Sequence, residues 1–169
     1  MSVVFERDMG RGRLVLLCGL PGSGKTTTAR RIAAESGGVR FCPDDWMTAL
    51  GIDLFDEPAR AKIEALQWEL AQELLALGQT VIIEWGVWSR SERDVVRARA
   101  RELGARVELV YLDVPIDALL ERLEARNAER PPATGVISRE NLLSWVELFE
   151  APDAEEQSLF DNDDGLEEG

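Results

Sequence analysis

Eight consecutive residues, Gly19-Leu20-Pro21-Gly22-Ser23-Gly24-Lys25-Thr26, have the types and spacing that could hold a polyphosphate. They satisfy the pattern G-x-x-x-x-G-K-[ST] without a mismatch. A loop that wraps phosphate groups must turn its backbone N–H groups inward, and glycines permit the positive φ values and close approach this requires. Lys25 would reach the β- and γ-phosphates as a point charge, while Thr26 would offer its hydroxyl to Mg²⁺. The helix expected to start just beyond turns its positive end toward the anion. Gly19, Pro21, Gly22, Ser23, Gly24, Lys25, Thr26 and Thr27 are therefore the expected binding set for a nucleoside triphosphate with Mg²⁺.

A bound triphosphate reacts when an acceptor is placed in line and its proton is removed. The chain has no histidine, so a carboxylate must serve as any base. Asp44 and Asp45 form an acidic pair just beyond a short predicted strand, Val39 to Cys42, and Asp44 is the preferred base; capping the next helix is the competing use. Glu84 ends another predicted strand beside the loop, where it could hold magnesium through water or face the acceptor. Arg122, Arg126 and Arg130 are spaced by four along a predicted helix that leads into a proline-containing loop. Arg126 and Arg130 are the candidates to close over the phosphates, and Arg122 reads as paired on a solvated face. Trp46, Trp85 and Trp88 fall in loops at the same edge and, with Asp45, Arg90 and Arg93, are assigned to the acceptor side. Trp68 and Trp145 sit in predicted helices and read as core or interface.

Elements are needed to carry these residues. Leu14 to Cys18 reads as a buried parallel strand and Thr27 to Glu35 as a helix. Met47 to Leu54 is a short helix or turn. Pro58 opens a longer helix to Leu77 whose apolar residues Ile63, Leu66, Leu70, Leu74 and Leu77 recur at three- and four-residue spacing. Thr80 to Glu84 is a third strand, and Ser89 with Glu92 makes a capping-box start to a helix ending near Leu103. Arg106 to Leu112 is a fourth strand, Asp117 to Arg126 a helix, and Ser138 caps a last helix to Phe149. Strands alternating with helices predict an α/β chain: a three-layer α/β/α P-loop NTPase fold with a short, mostly parallel sheet of four or five strands. One domain is expected over residues 1–150, with a lid near 126–137.

The 169 residues suit one domain, and 45% hydrophobic with 30% charged residues is ordinary for a globular chain. The sequence has no apolar run long enough to span a membrane and no signal-peptide core in its first residues, so the expected location is the cytoplasm. Cys18 and Cys42 each end a predicted strand, where a small buried thiol is expected and a disulfide is not. Net charge is −13, and residues 151–169 contain eight acidic side chains and no Lys or Arg. That segment reads as a flexible acidic tail whose field repels polyanions, which disfavours long nucleic acid as a partner.

The stretches G-L-P-G-S-G-K-T (19–26), D-D-W (44–46), V-I-I-E-W-G (81–86), S-E-R (91–93), L-D-V-P (112–115) and R-N-A-E-R-P (126–131) together resemble the small P-loop kinases. The nearest types are the polynucleotide 5′-hydroxyl kinases, the zeta-toxin and chloramphenicol phosphotransferase group, and bacterial AAA-type ATP-binding proteins, over about residues 13–149. The resemblance implies transfer of the γ-phosphate of ATP to an alcohol, with Asp44 as base and Arg126 or Arg130 as the lid arginine. Met47 stands where polynucleotide kinases have an arginine, and Trp85 where they have an acid, with Glu84 displaced by one. These departures shift the expected acceptor to a small molecule such as a nucleotide sugar, nucleoside-like compound or antibiotic. A polynucleotide 5′-hydroxyl acceptor and a non-catalytic ATP-binding switch are the alternatives.

Overall fold

The computed structural model describes residues 10–129 and 136–162. Arg130 and half of the expected lid therefore lie outside the described residues, as do positions 163–169 of the acidic tail. The sheet is built from β1 (Arg13–Cys18), β2 (Val39–Phe41), β3 (Thr80–Gly86) and β4 (Arg106–Tyr111) in the order β2-β3-β1-β4, with every pairing parallel. Parallel neighbours require crossovers, which here are the helices α1 (Lys25–Ser36), α2 (Pro43–Leu50), α3 (Glu57–Ala76) and α4 (Arg90–Glu102). After β4 come α5 (Ile116–Glu129), α6 (Arg139–Leu148) and the single turn α7 (Ala154–Gln157). The expected three-layer arrangement is the one observed. All four strands deliver their carboxyl ends to one edge, where open α/β sheets place ligands.

β1 sits between β3 and β4, and Leu14 to Cys18 are wholly buried. Alternate side chains of a strand point to opposite faces. Leu14, Leu16, Val81 and Ile83 pack with Ala71, Leu75, Val96 and Ala100 beneath α3 and α4, whereas Val15, Leu17 and Ile82 pack with Ala29 of α1. A third cluster joins Leu20 of the phosphate loop to Leu119, Leu120, Leu123 and Leu142 of α5 and α6. The loop is thus anchored to the body by a side chain of its own.

Three expectations are corrected. The inward stripe of α3 is Ile63, Gln67, Ala71 and Leu75, while Leu66, Leu70 and Leu77 are 53%, 43% and 52% exposed. Two stripes of spacing four run side by side on this helix, and the sheet accepts the one with the small Ala71. Gln67 is tolerated inside because its Oε1 accepts a hydrogen bond from Trp85 Nε1 at 2.7 Å. The second correction concerns boundaries: α2 begins at Pro43, so it contains Asp44 and Asp45, and β3 continues through Trp85 to Gly86.

The third concerns the acidic tail, whose described part, residues 151–162, packs on the domain. Phe160 enters the main core, and Asp161 N donates to Val107 O at 2.7 Å. Asp161 Oδ2 and Asn162 Oδ1 then accept from Val107 N and Leu109 N, each at 2.9 Å, and Asn162 Nδ2 donates to Leu109 O at 2.7 Å. These side chains pair with the edge of β4 that faces away from β1 and blunt it. Two of the tail's anchors, the apolar Phe160 and the amide of Asn162, carry no charge. Among the described residues no helix is long and apolar enough to cross a membrane.

Candidate active site

The phosphate loop leaves β1 and is bent by positive φ at Gly22 (84°) and Gly24 (98°), the latter preceding α1. Both angles lie where an L side chain is strained. α1 starts at Lys25, so the N–H groups of its first turn face the loop's concavity. Lys25 Nζ donates to the carbonyls of Gly19 (2.8 Å) and Leu20 (2.9 Å), folding the ammonium over the loop. Burial there pushes its pKa down to about 8.

Beside the loop runs a chain of charge. Thr26 Oγ1 donates to Glu84 Oε1 at 2.9 Å, and Glu84 Oε2 accepts from Arg40 Nη1 at 2.7 Å. Arg40 Nη2 in turn pairs with Asp45. Glu84 is only 7% exposed, so the arginine that neutralises it is part of the site. Arg40 was missed in the sequence; its only signal there is a cation on a strand that stands next to an acid-ending strand.

Asp44 lies in the first turn of α2, and its Oδ1 accepts from Arg60 Nη2 of α3 at 2.5 Å. Arg60 also donates to Leu54 O at 3.2 Å and lies 3.9 Å from Glu64. A cavity of about 950 Å³ joins these residues to the loop, running from Lys25, Thr26 and Glu84 past Asp44 to Glu64 and the indoles of Trp68, Trp85 and Trp88. Asp45 and Trp46, assigned to the acceptor side, are not in its wall: Asp45 is held by Arg40, and Trp46 packs edge-on against Phe41 with 6.1 Å between centroids. Trp85 and Trp88 do line it. So do Trp68 and Trp145, which read from the sequence as core or interface; Trp68 packs edge to face on Trp85 with 6.1 Å between centroids, and Trp145 lies tilted against Trp88 at 5.8 Å.

Arg122 and Arg126 of α5 line the phosphate end, and Arg122 Nη1 donates to Gly22 O at 3.2 Å. Arg122 thus reaches the loop from an exposed position on α5. Arg90 and Arg93 do not reach the cavity. Arg90 faces Asp153 and Glu155 at 3.8 and 3.7 Å. Arg93 is fully buried, where it donates to Glu156 and to the carbonyls of Val87 (2.8 Å) and Trp88 (3.2 Å). Val87 has φ of 36°, a strained value for a β-branched residue, so Arg93 holds the turn that carries Trp88 from behind.

Glu64 is a second residue missed in the sequence. Burial raises its carboxyl to about 7, Arg60 opposes the shift, and Glu92, Glu57 and Asp44 add to it. Cys18 and Cys42 are buried free thiols, and burial pushes them up to about 11 and about 12, which keeps them protonated and inert.

A family model described as an AAA domain matches residues 14–152. A gluconokinase from Sinorhizobium meliloti 1021 is 24% identical, with 86% of this chain and 79% of that chain covered and a TM-score of 0.58. A sugar kinase from Janibacter sp. HTCC2649 is 27% identical, with 86% and 82% covered and a TM-score of 0.60. A chain of the Pnkp1/Rnl/Hen1 RNA repair complex is 24% identical with a TM-score of 0.69; 85% of this chain aligns to 45% of that one. No curated protein matches in sequence.

Proposed function

The chain belongs to the AAA domain family and has the fold of the small P-loop kinases, and on that premise we propose that it moves the γ-phosphate of ATP to a hydroxyl of a small molecule. The observation that carries this reading is the single cavity that joins Lys25 and the phosphate loop to Asp44. A donor and an acceptor can meet inside it.

In this reading the loop amides and Lys25 bind the β- and γ-phosphates, and Arg122 and Arg126 add positive charge at the same end. Asp44 accepts the proton of the acceptor hydroxyl while Arg60 fixes the carboxylate's orientation. The bond from the γ-phosphorus to the β–γ bridging oxygen breaks as the bond to the acceptor oxygen forms, and ADP leaves with the bridging oxygen's electrons. Among the described residues no group of three or more His, Cys, Asp or Glu could hold a metal by itself. The Thr26 hydroxyl beside Glu84 does suit Mg²⁺, a hard cation that takes few protein ligands and shares the phosphates. When bound, Mg²⁺ neutralises charge on the β- and γ-oxygens. ATP supply makes the cytoplasm the proposed location.

Incubation with γ-labelled ATP and a panel of nucleotide sugars, nucleosides, antibiotics and oligonucleotides, read by mass, tests the proposal. Asp44→Asn is expected to lower transfer by at least about 10²-fold while nucleotide affinity is unchanged. Full transfer by that variant would remove Asp44 as base. Nucleotide binding with no acceptor consumed would favour an ATP-binding switch. A polynucleotide 5′-hydroxyl acceptor is a second reading, favoured by the likeness to the RNA repair complex; labelling of a 5′-hydroxyl oligonucleotide would establish it.

A further inference from the structure

The two ends of the cavity differ in charge. At the phosphate end Lys25, Arg122 and Arg126 outnumber Glu84. At the far end Glu57 and Glu64 of α3, Asp44 of α2 and Glu92 of α4 face a single cation, Arg60. Arg60 is already engaged, by Asp44 Oδ1 at 2.5 Å and Leu54 O at 3.2 Å. An acceptor carrying phosphate or carboxylate would meet like charge there with no free guanidinium to receive it. Trp68 and Trp85 line the same cavity and pack on each other edge to face, with 6.1 Å between centroids and an interplanar angle of 83°. Trp85 is locked by its hydrogen bond to Gln67, so this wall is formed before any ligand enters.

We propose that the acceptor is a hydroxyl compound that carries a protonated or quaternary amine and no phosphate or carboxylate, with its amine beside Glu64 and its apolar body against Trp68 and Trp85. This deepens the kinase reading and rests on it. A cation in such a place gains from both the carboxylate and the indole faces. Its hydroxyl is then directed toward Asp44, which lines the same cavity and whose charge is felt at Lys25. The cavity of about 950 Å³ also takes the donor's phosphates, so the acceptor fills only the part lined by the acids and indoles.

A proton linkage follows from the geometry. Burial and the neighbouring acids raise Glu64 to about 7, and a bound cation favours its ionised form. Affinity for a permanent cation therefore rises between pH 6 and pH 8, by about tenfold.

The test is a tryptophan-fluorescence titration of the ADP-loaded protein. The probes are choline, its neutral isostere 3,3-dimethylbutan-1-ol, kanamycin, gluconate and UDP-glucose, with a parallel assay of transfer from γ-labelled ATP to the same compounds and to a 5′-hydroxyl oligonucleotide. The expected result is saturable binding of choline or kanamycin at least tenfold tighter than the neutral and anionic probes. For choline, binding should be about tenfold tighter at pH 8 than at pH 6. Glu64→Gln should abolish both preferences and leave ADP affinity unchanged. Equal binding of charged and neutral probes, tighter binding of gluconate or UDP-glucose, or a cation preference that survives Glu64→Gln would overturn the proposal. Labelling confined to UDP-glucose or the oligonucleotide would overturn it too while leaving the kinase reading intact. Glu64-dependent cation binding with no compound labelled would instead uphold the amine site and count against the kinase.

Discussion

The guanidinium of Arg93 lies fully buried against the carboxylate of Glu156, with Nε 2.5 Å from Oε1 and Nη2 2.9 Å from Oε2. The same guanidinium donates to Val87 O and Glu150 O, each at 2.8 Å. One side chain thus joins the C-terminal segment to the turn that ends in Trp88 of the cavity wall.

Removing one partner of such a pair leaves a buried charge without compensation. Glu156→Ala should destabilise the fold by about 3–5 kcal/mol, whereas an Arg93→Met/Glu156→Leu double variant should recover most of that loss. Thermal unfolding of the three proteins decides the matter. A double variant less stable than Glu156→Ala would show that Arg93 acts mainly through the Val87 and Trp88 carbonyls.

The turn itself offers a second prediction. Gly86 has φ of 95°, and a Cβ there would lie 2.6 Å from Trp88 Nε1. Gly86→Ala therefore adds backbone strain of about 1–2 kcal/mol and displaces the Trp88 indole. Intrinsic fluorescence should change and acceptor KM rise, with ATP affinity preserved at the phosphate end of the cavity. An unchanged KM would place Trp88 outside the acceptor's path.

Lys25 makes nucleotide binding sensitive to pH. Its ammonium is lowered to about 8 by burial, and phosphate favours the charged form, so binding takes up a proton above that pH. Affinity for ATP is expected to be flat from pH 6 to 7.5 and then to fall toward about tenfold per unit above 8. Calorimetric titration across pH 6–9.5 measures this directly. The same inflection in Lys25→Met would assign it to another group.

Glu84 bridges Thr26 and Arg40, and in the proposed kinase it stands behind the magnesium site. Glu84→Gln should raise the Mg²⁺ concentration for half-maximal turnover by about 10–100-fold, as loss of an outer-shell partner does elsewhere. Binding of nucleotide in EDTA should change little. An unaltered magnesium curve would leave Glu84 only a structural partner of Arg40.

What the sequence determined by itself is what short-range backbone geometry dictates. The phosphate loop needs its glycines and its lysine within eight residues, the Ser89–Glu92 capping box closes within four, and β-branched runs set the strands, so each could be read locally. Alternation of strand and helix then settled the parallel three-layer fold. Only the tertiary structure decided which side chains share the cavity. Thr26 meets Glu84 across 58 positions and Arg93 meets Glu156 across 63, and no local period encodes such distances. The same limit explains why Trp46 and Trp68 exchanged roles, why the acidic segment at 151–162 proved to be packed, and why Arg40, Arg60 and Glu64 went unnoticed. The rotation of a helix about its axis and the path of a segment across the surface are set by the collective packing of apolar area against the sheet, and that term exists only once the chain has folded.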